Sequence, residues 1–338
     1  MKRFYCDCGA RVFFDNDRCF ACGLDLGFDP ERLSMLSLVR DGDVLSDREG
    51  RTHHRCGNHD LYGNCNWLRP FGGSETYCAS CRLSQVVPAL DRAGNLELWT
   101  RMERAKRRLL YSLFRLHLPI GSRPGQSGLG FRFLEDRRRN PDVLESFVAT
   151  AHLDGTITIN IAEADDAVRL AVREQMQERY RTVLGHLRHE SGHFFFPRLA
   201  DTPERLAACR TLFGDEREDY DPALRTYYER GPVADWPERF VSAYASAHPV
   251  EDFAETFAHL LHIEDALETA RCAGLAPERA GQDSDWLSDW VEVAITLNEI
   301  LRSLGSDDPY PFVLSTPVKQ KLQFMSRLVH RQGARADG

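Results

Sequence analysis

The chain has 338 residues, 42% of them hydrophobic and 28% charged, with a formal net charge of −8 at pH 7. That length permits two domains and a sizeable core. The acidic balance gives no electrostatic reason to expect nucleic acid or an anionic membrane as the main partner, and no apolar run is long enough to span a bilayer.

The chain opens on Met1-Lys2-Arg3-Phe4-Tyr5-Cys6, which lacks the apolar segment of a signal peptide, so a cytoplasmic protein is expected. Of the 10 cysteines, eight fall in the first quarter. In a reducing compartment such clustering points to metal before disulfide. Cys6-x-Cys8 and Cys19-x-x-Cys22 each suit a tight turn presenting two thiolates, with residues 9–18 read as a small hairpin between them and Gly23 in a turn. Four thiolates around one zinc make a closed, structural site. Cys56, Cys65, Cys78 and Cys81 form a second set of the same kind. His53, His54 and His59 lie nearby and are read as solvated loop residues rather than substitutes for a cysteine, and Trp67, Phe71 and Tyr77 as packing residues. So small a segment has little core of its own, and metal binding would supply much of its folding energy. No basic stripe marks it for nucleic acid; a protein partner is the more natural expectation for a ribbon of this kind.

A boundary is placed near residue 90, dividing the chain into 1–90 and 91–338. Residues 96–118 carry a helical apolar stripe through Leu98, Met102, Leu109, Leu110 and Leu113, and Arg104, Lys106, Arg107 and Arg108 read as its solvated face. Three strand-like runs follow at 130–134, 147–153 and 156–161, the last two joined by Asp154-Gly155, a favoured hairpin turn. Residues 162–173 read as a further helix.

His189-Glu190-Ser191-Gly192-His193 is the stretch around which the rest is organised. On a helix, residues four apart share a face, so both imidazoles project to one point. Glu190, one position after the first, reaches a metal-bound water as general base. The upstream flank, including Arg179-Tyr180-Arg181, is free of proline and compatible with helix, and Pro197 is expected to stop it. A zinc there needs another ligand and an open position. The outstanding stretch is the helix beginning at Pro249, where Glu251, Glu255, His259 and His262 form a polar stripe beside Phe253, Phe257, Leu260 and Leu261. Residues 200–238, with Tyr220, Tyr227 and Tyr228, join the two halves as a lid or cleft rim. Helices at 286–304 and 316–330 complete the chain. Asn298 and Glu299 have no evident role there, and Cys209 and Cys272 read as packing thiols.

Glu251-x-x-x-Glu255 after H-E-x-x-H resembles the gluzincins, in which the first acid binds zinc and the second supports a ligand histidine. Tyr244 is similar in placement to the active-site tyrosine of the anthrax lethal factor peptidases. More closely, the chain resembles the bacterial zinc-binding metallopeptidases with an N-terminal zinc-ribbon domain. The residues that carry this are the cysteine sets with Cys65-Asn66-Trp67-Leu68 and Cys81-Arg82-Leu83, Thr158-Ile159-Asn160-Ile161-Ala162-Glu163-Ala164-Asp165, Arg188-His189-Glu190-Ser191-Gly192-His193 and His248-Pro249-Val250-Glu251-Asp252-Phe253-Ala254-Glu255.

The resemblance implies an α+β fold: a small Cys-rich ribbon domain, then a mainly helical zincin-like domain with a small β-sheet. It implies one catalytic and two structural zinc ions, with His189, His193 and Glu251 holding the catalytic one. Glu190 is then the base for a metal-activated water attacking a peptide or protein substrate, Tyr244 the donor to the developing oxyanion, and Glu255 the support of a ligand histidine. The competing reading is a non-catalytic adaptor, its ribbon bound to a partner protein and its second metal site structural or latent. The intact Glu190 argues against that, because a structural zinc does not need it.

Overall fold

Cys6 and Cys8 sit in and beside the turn between two short strands, β1 (Phe4–Tyr5) and β2 (Arg11–Val12), where Gly9 takes a φ of 85°. The computed structural model describes residues 1–42, 44–70, 72–148, 150–176, 182–277 and 285–336. The hairpin expected within 9–18 is therefore corrected: its first strand precedes the cysteines, and Arg18 instead bridges Asp25 beyond the second pair. An antiparallel meander follows that the sequence reading missed, β3 (Asp25–Asp29), β4 (Ser34–Asp41), β5 (Val44–Ser46), β6 (Thr52–Arg55) and β7 (Leu68–Pro70), with α1 (Gly57–Tyr62) between the last two. Charged residues such as Asp25, Asp29, Arg40 and Asp41 within these strands blur the alternation that marks a half-buried sheet.

β8 (Ser84–Val86) leads into α2 (Asn95–Arg115), then β9 (Gly130–Leu134), β10 (Ala151–Leu153) and β11 (Thr156–Asn160). The second sheet has the order β10-β11-β9-β8, with β9 parallel to both neighbours and β10 an antiparallel edge. Asp154 and Gly155 both have positive φ, the requirement of the tightest hairpin turn. The strand expected over 147–153 shrinks to its last three residues: Phe147 is exposed, and the Val148 amide donates to Asp136 Oδ2 at 3.3 Å instead of a strand. Ala149, like Phe71 and the flank Arg179-Tyr180-Arg181, lies outside the described residues. A 3-10 turn at Ile161–Ala164 precedes α3 (Asp166–Met176), splitting the single helix expected there.

The remainder is helical: α4 (Val183–Leu199), α5 (Pro203–Phe213), α6 (Tyr220–Arg230), α7 (Trp236–Arg239), α8 (Pro249–Ala273), α9 (Trp286–Ser303) and α10 (Thr316–Ala336). The Thr182 hydroxyl caps α4, accepting from the Gly185 amide at 2.9 Å. Pro197 does not stop this helix but lies within its last turn, so α4 runs on to Leu199. α4 and α8 pack closely because Gly192 faces Ala254: a Cβ at Gly192 would stand 2.7 Å from the Ala254 Cα. Phe195 stacks on Phe257 at 5.3 Å, and Phe196 meets Phe253 edge-on at 4.9 Å.

The apolar core runs without a break from the Cys-rich segment into the helices. Phe14 meets Tyr111 of α2 at 5.6 Å, and Trp67 meets Phe114 at 6.0 Å. Tyr77 is exposed and does not pack as expected, whereas Trp67 is fully buried. Two other expectations change here. Lys106 and Arg107 are buried, not a solvated face: Lys106 pairs with Glu103 at 2.7 Å, and Arg107 lies in the field of Cys65, Cys81 and Glu103. Asn298 has a role after all, donating to the Tyr310 carbonyl at 2.9 Å and accepting from its amide at 3.2 Å.

Candidate metal centre

Three groups of potential ligands assemble among the described residues. Cys6, Cys8, Cys19 and Cys22 form the first, Cys56, Cys65, Cys78 and Cys81 the second, and His189, His193 and Glu251 the third, each with its ligand atoms within 4.8 Å of one another. In the first, Cys8 and Cys22 are exposed; in the second, all four are buried. Burial and its neighbouring thiols push Cys78 well above the ordinary thiol value. Four thiolates cannot share that space without a cation, which is what a thiolate-bound zinc provides. The nearby histidines have other partners. His53 is buried on β6 and bonded to Asp47 at 3.0 Å, so it is not a solvated loop residue, and His59 Nδ1 reaches the Cys65 carbonyl at 3.0 Å.

In the third group, α4 presents His189 and His193 four residues apart, and their Nε2 atoms stand 3.2 Å from each other. α8 presents Glu251, whose Oε2 is 3.0 Å from His189 Nε2 and 3.5 Å from His193 Nε2. Despite that proximity, Oε2 is buried without a partner in hydrogen-bond geometry. On the other side of the ring, His189 Nδ1 meets Glu255 Oε1 at 2.7 Å. A ring that donates from Nδ1 turns the lone pair of Nε2 inward. A buried carboxylate oxygen and imidazole nitrogens thus converge on one point, a donor set suited to zinc. The carboxylates also set the charges. Burial opposes ionisation of Glu251, but His189 and His193 outweigh it and hold its carboxyl far below the usual range. Glu255 is half-buried, which also opposes ionisation, yet His189 lowers it to about 2.

Glu190 is 7% exposed, and burial raises its pKa above the ordinary glutamate value. Such a shift moves a carboxylate toward the range useful to a general base. Tyr244 stands beside the imidazoles, its ring 5.7 Å from that of His189. It is carried by a 3-10 turn, Tyr244–Ser246. Its phenol interacts with those of Tyr220 and Tyr228.

Several contacts at the site were not expected from sequence, which offered Tyr220 only as part of a lid or cleft rim and passed over Ser242 and the position of His152. Tyr220 donates to Glu251 Oε1 at 2.6 Å, and Ser242 donates to Glu255 Oε2 at 2.5 Å. His152, on the edge strand β10, has its pKa lowered to about 4, chiefly by burial. Tyr220 lies 31 residues from its partner and Ser242 13 from its own, on different elements, and no local pattern announces them. The rest of the polar stripe on α8 serves the fold: His259 Nδ1 meets the Tyr310 hydroxyl at 2.8 Å, and His262 meets Arg188.

Comparison with known proteins defines the class. Residues 95–328 match the family described as "Putative zinc-binding metallo-peptidase", and residues 3–92 match a zinc-ribbon domain. The chain belongs to that metallo-peptidase family. Among its relatives are uncharacterized proteins of Mycobacterium bovis and of two Mycobacterium tuberculosis strains, each 41% identical over 97% of this chain and 95% of the relative. No solved structure matches the chain significantly. No helix among the described residues is long and apolar enough to cross a membrane.

Proposed function

We propose that the protein is a zinc peptidase that hydrolyses peptide bonds, with His189, His193 and Glu251 as the ligands of one catalytic zinc and Glu190 as general base. The observation that carries the reading is the buried Glu251 Oε2, 3.0 and 3.5 Å from two imidazole nitrogens, with Glu190 buried next to the first histidine in sequence. When bound, zinc supplies Lewis-acid polarisation and acidifies a water ligand. Glu190 takes a proton from water and passes it to the leaving amine. Tyr244, beside His189, donates to the oxygen on which charge develops. Glu255 orients His189, itself held by Ser242. The exposed edge of β10 offers an extended peptide a strand to pair with.

Two further zinc ions in the cysteine sets are structural in this reading. The ribbon, residues 1–90, serves as a protein contact, the metallopeptidase unit is 91–338, and the thiol-rich segment suits the reducing cytoplasm. The deciding variant is Glu190→Gln, which keeps size and removes the base. With a peptide library as substrate, hydrolysis falls by roughly two to four orders of magnitude while zinc content is unchanged. Undiminished hydrolysis would show that water is activated elsewhere.

A further inference from the structure

The segment between α5 and α8 reaches the proposed ligand helix at two points. His248 caps α8, its Nδ1 accepting from the Val250 amide at 3.2 Å, which leaves Nε2–H to donate to the Glu218 carbonyl at 3.0 Å. Two residues further on, the Tyr220 hydroxyl donates to Glu251 Oε1 at 2.6 Å, with its ring edge-on to His248 at 5.2 Å. α6 contains no buried residue, and Tyr220 itself is 42% exposed. Apolar burial therefore does not explain why its hydroxyl is set on a carboxylate that is only 1% exposed. The two oxygens of Glu251 have separate neighbours, Tyr220 on Oε1 and the two imidazoles on Oε2.

We propose that Tyr220 is a positioning residue for the metal: by holding Oε1 it aims Oε2 alone at His189 and His193. The inference rests on reading those three residues as zinc ligands. A carboxylate with both oxygens free can rotate, and either oxygen or both can face the cation. With Oε1 engaged, rotation forfeits a charge-assisted hydrogen bond. Glu251 is thereby kept a one-oxygen ligand, which leaves room at the metal for water and substrate. His189 is treated the same way, its far nitrogen held by Glu255. Each of these two ligands thus has its non-ligating atom engaged from behind, one by a carboxylate and the other by a phenol from a separate helix.

The test is Tyr220→Phe in the full chain, which keeps the ring and removes only the hydroxyl. Zinc affinity is read by chelator competition with the ribbon sites loaded, and the ion absent from a His193→Ala variant identifies the site. The expected result is a loss of roughly ten- to a hundredfold in affinity at that site, with ribbon zinc unchanged and, once this site is stripped of metal in both proteins, the same melting temperature. In a Glu251→Gln background the same substitution produces no further loss, because its effect passes through that carboxylate. Wild-type affinity in Tyr220→Phe, or an equal loss in the Glu251→Gln background, overturns the inference while leaving the metal centre intact. A wild-type chain that binds no zinc at this site overturns the metal-centre reading and this inference with it.

Discussion

Glu255 meets the far nitrogen of His189 at 2.7 Å, and in the proposed site the kind of effect expected of it follows from that position. Glu255→Gln retains an acceptor but loses the charge that holds the imidazole in one tautomer. Zinc affinity or activity should fall roughly ten- to a hundredfold, measured by chelator competition and peptide hydrolysis. A larger loss of zinc from this variant than from Glu251→Gln would exchange the roles of the two acids. Tyr244 has a different signature. An oxyanion donor matters when charge appears on oxygen, so Tyr244→Phe should lower kcat by roughly one to three orders of magnitude with KM and zinc content nearly unchanged. Full activity in that variant would leave Tyr244 as a packing partner of His189. At this scale the spacing of His189, Glu190 and His193 was legible because one helix carries all three. The tie from Tyr220 to Glu251 was not, because 31 residues separate them.

The site is made by two helices that no short motif joins. Gly192 lies between the histidine pair's first and last members, and it allows α4 to approach the Ala254 backbone of α8. Gly192→Ala would gain about 1 kcal/mol in helix propensity. Against that, the new Cβ stands 2.7 Å from a backbone atom that has no side-chain freedom to yield. Overpacking of this kind costs about 1–3 kcal/mol, so the net effect is destabilising. The variant should melt at a lower temperature and also bind zinc less tightly, because separating α4 from α8 draws His193 away from Glu251. A rise in melting temperature with zinc affinity intact would mean that the helices part without disturbing the ligands. Helix periodicity announced α2 and α9 clearly, since each keeps an apolar stripe over several turns; α8 is buried on nearly all sides, and its proline start and the spacing of its acids and histidines marked it instead. It failed for the meander of β3 to β7, whose strands are short and carry charges, and for the strand before Asp154-Gly155, where only three residues pair.

Across the molecule the two cysteine sets differ in what depends on them. The second is buried against α2: the Cys81 thiol lies 4.0 Å from Glu103 Oε2, Glu103 accepts from Ser84 at 2.6 Å, and Arg107 faces the thiols. The first keeps Cys8 and Cys22 at the surface. Cys78→Ser with Cys81→Ser should therefore remove one zinc and also destabilise the whole chain, because buried charges on α2 lose their counterpart. Cys8→Ser with Cys22→Ser should remove one zinc with a smaller change in melting. Elemental analysis against a wild-type value approaching one ion for each of the three ligand groups, with calorimetry on the same samples, checks both. Equal melting of the two variants would show that the second site is as peripheral as the first.

What the sequence determined alone was the chemistry that depends on neighbours: thiol pairs close enough to share a metal, a histidine pair one helical turn apart, and the acid pair of α8 in the same relation. Backbone geometry sets those separations whatever the rest of the chain does. Tertiary structure decided what crosses between elements: Glu251 against the two imidazoles, Tyr220 behind Glu251, and Lys106 and Arg107 buried where their charges alone suggested solvent. Those choices depend on which helices pack and how closely. Packing sums many weak contacts over the whole core, so no short stretch of sequence contains it.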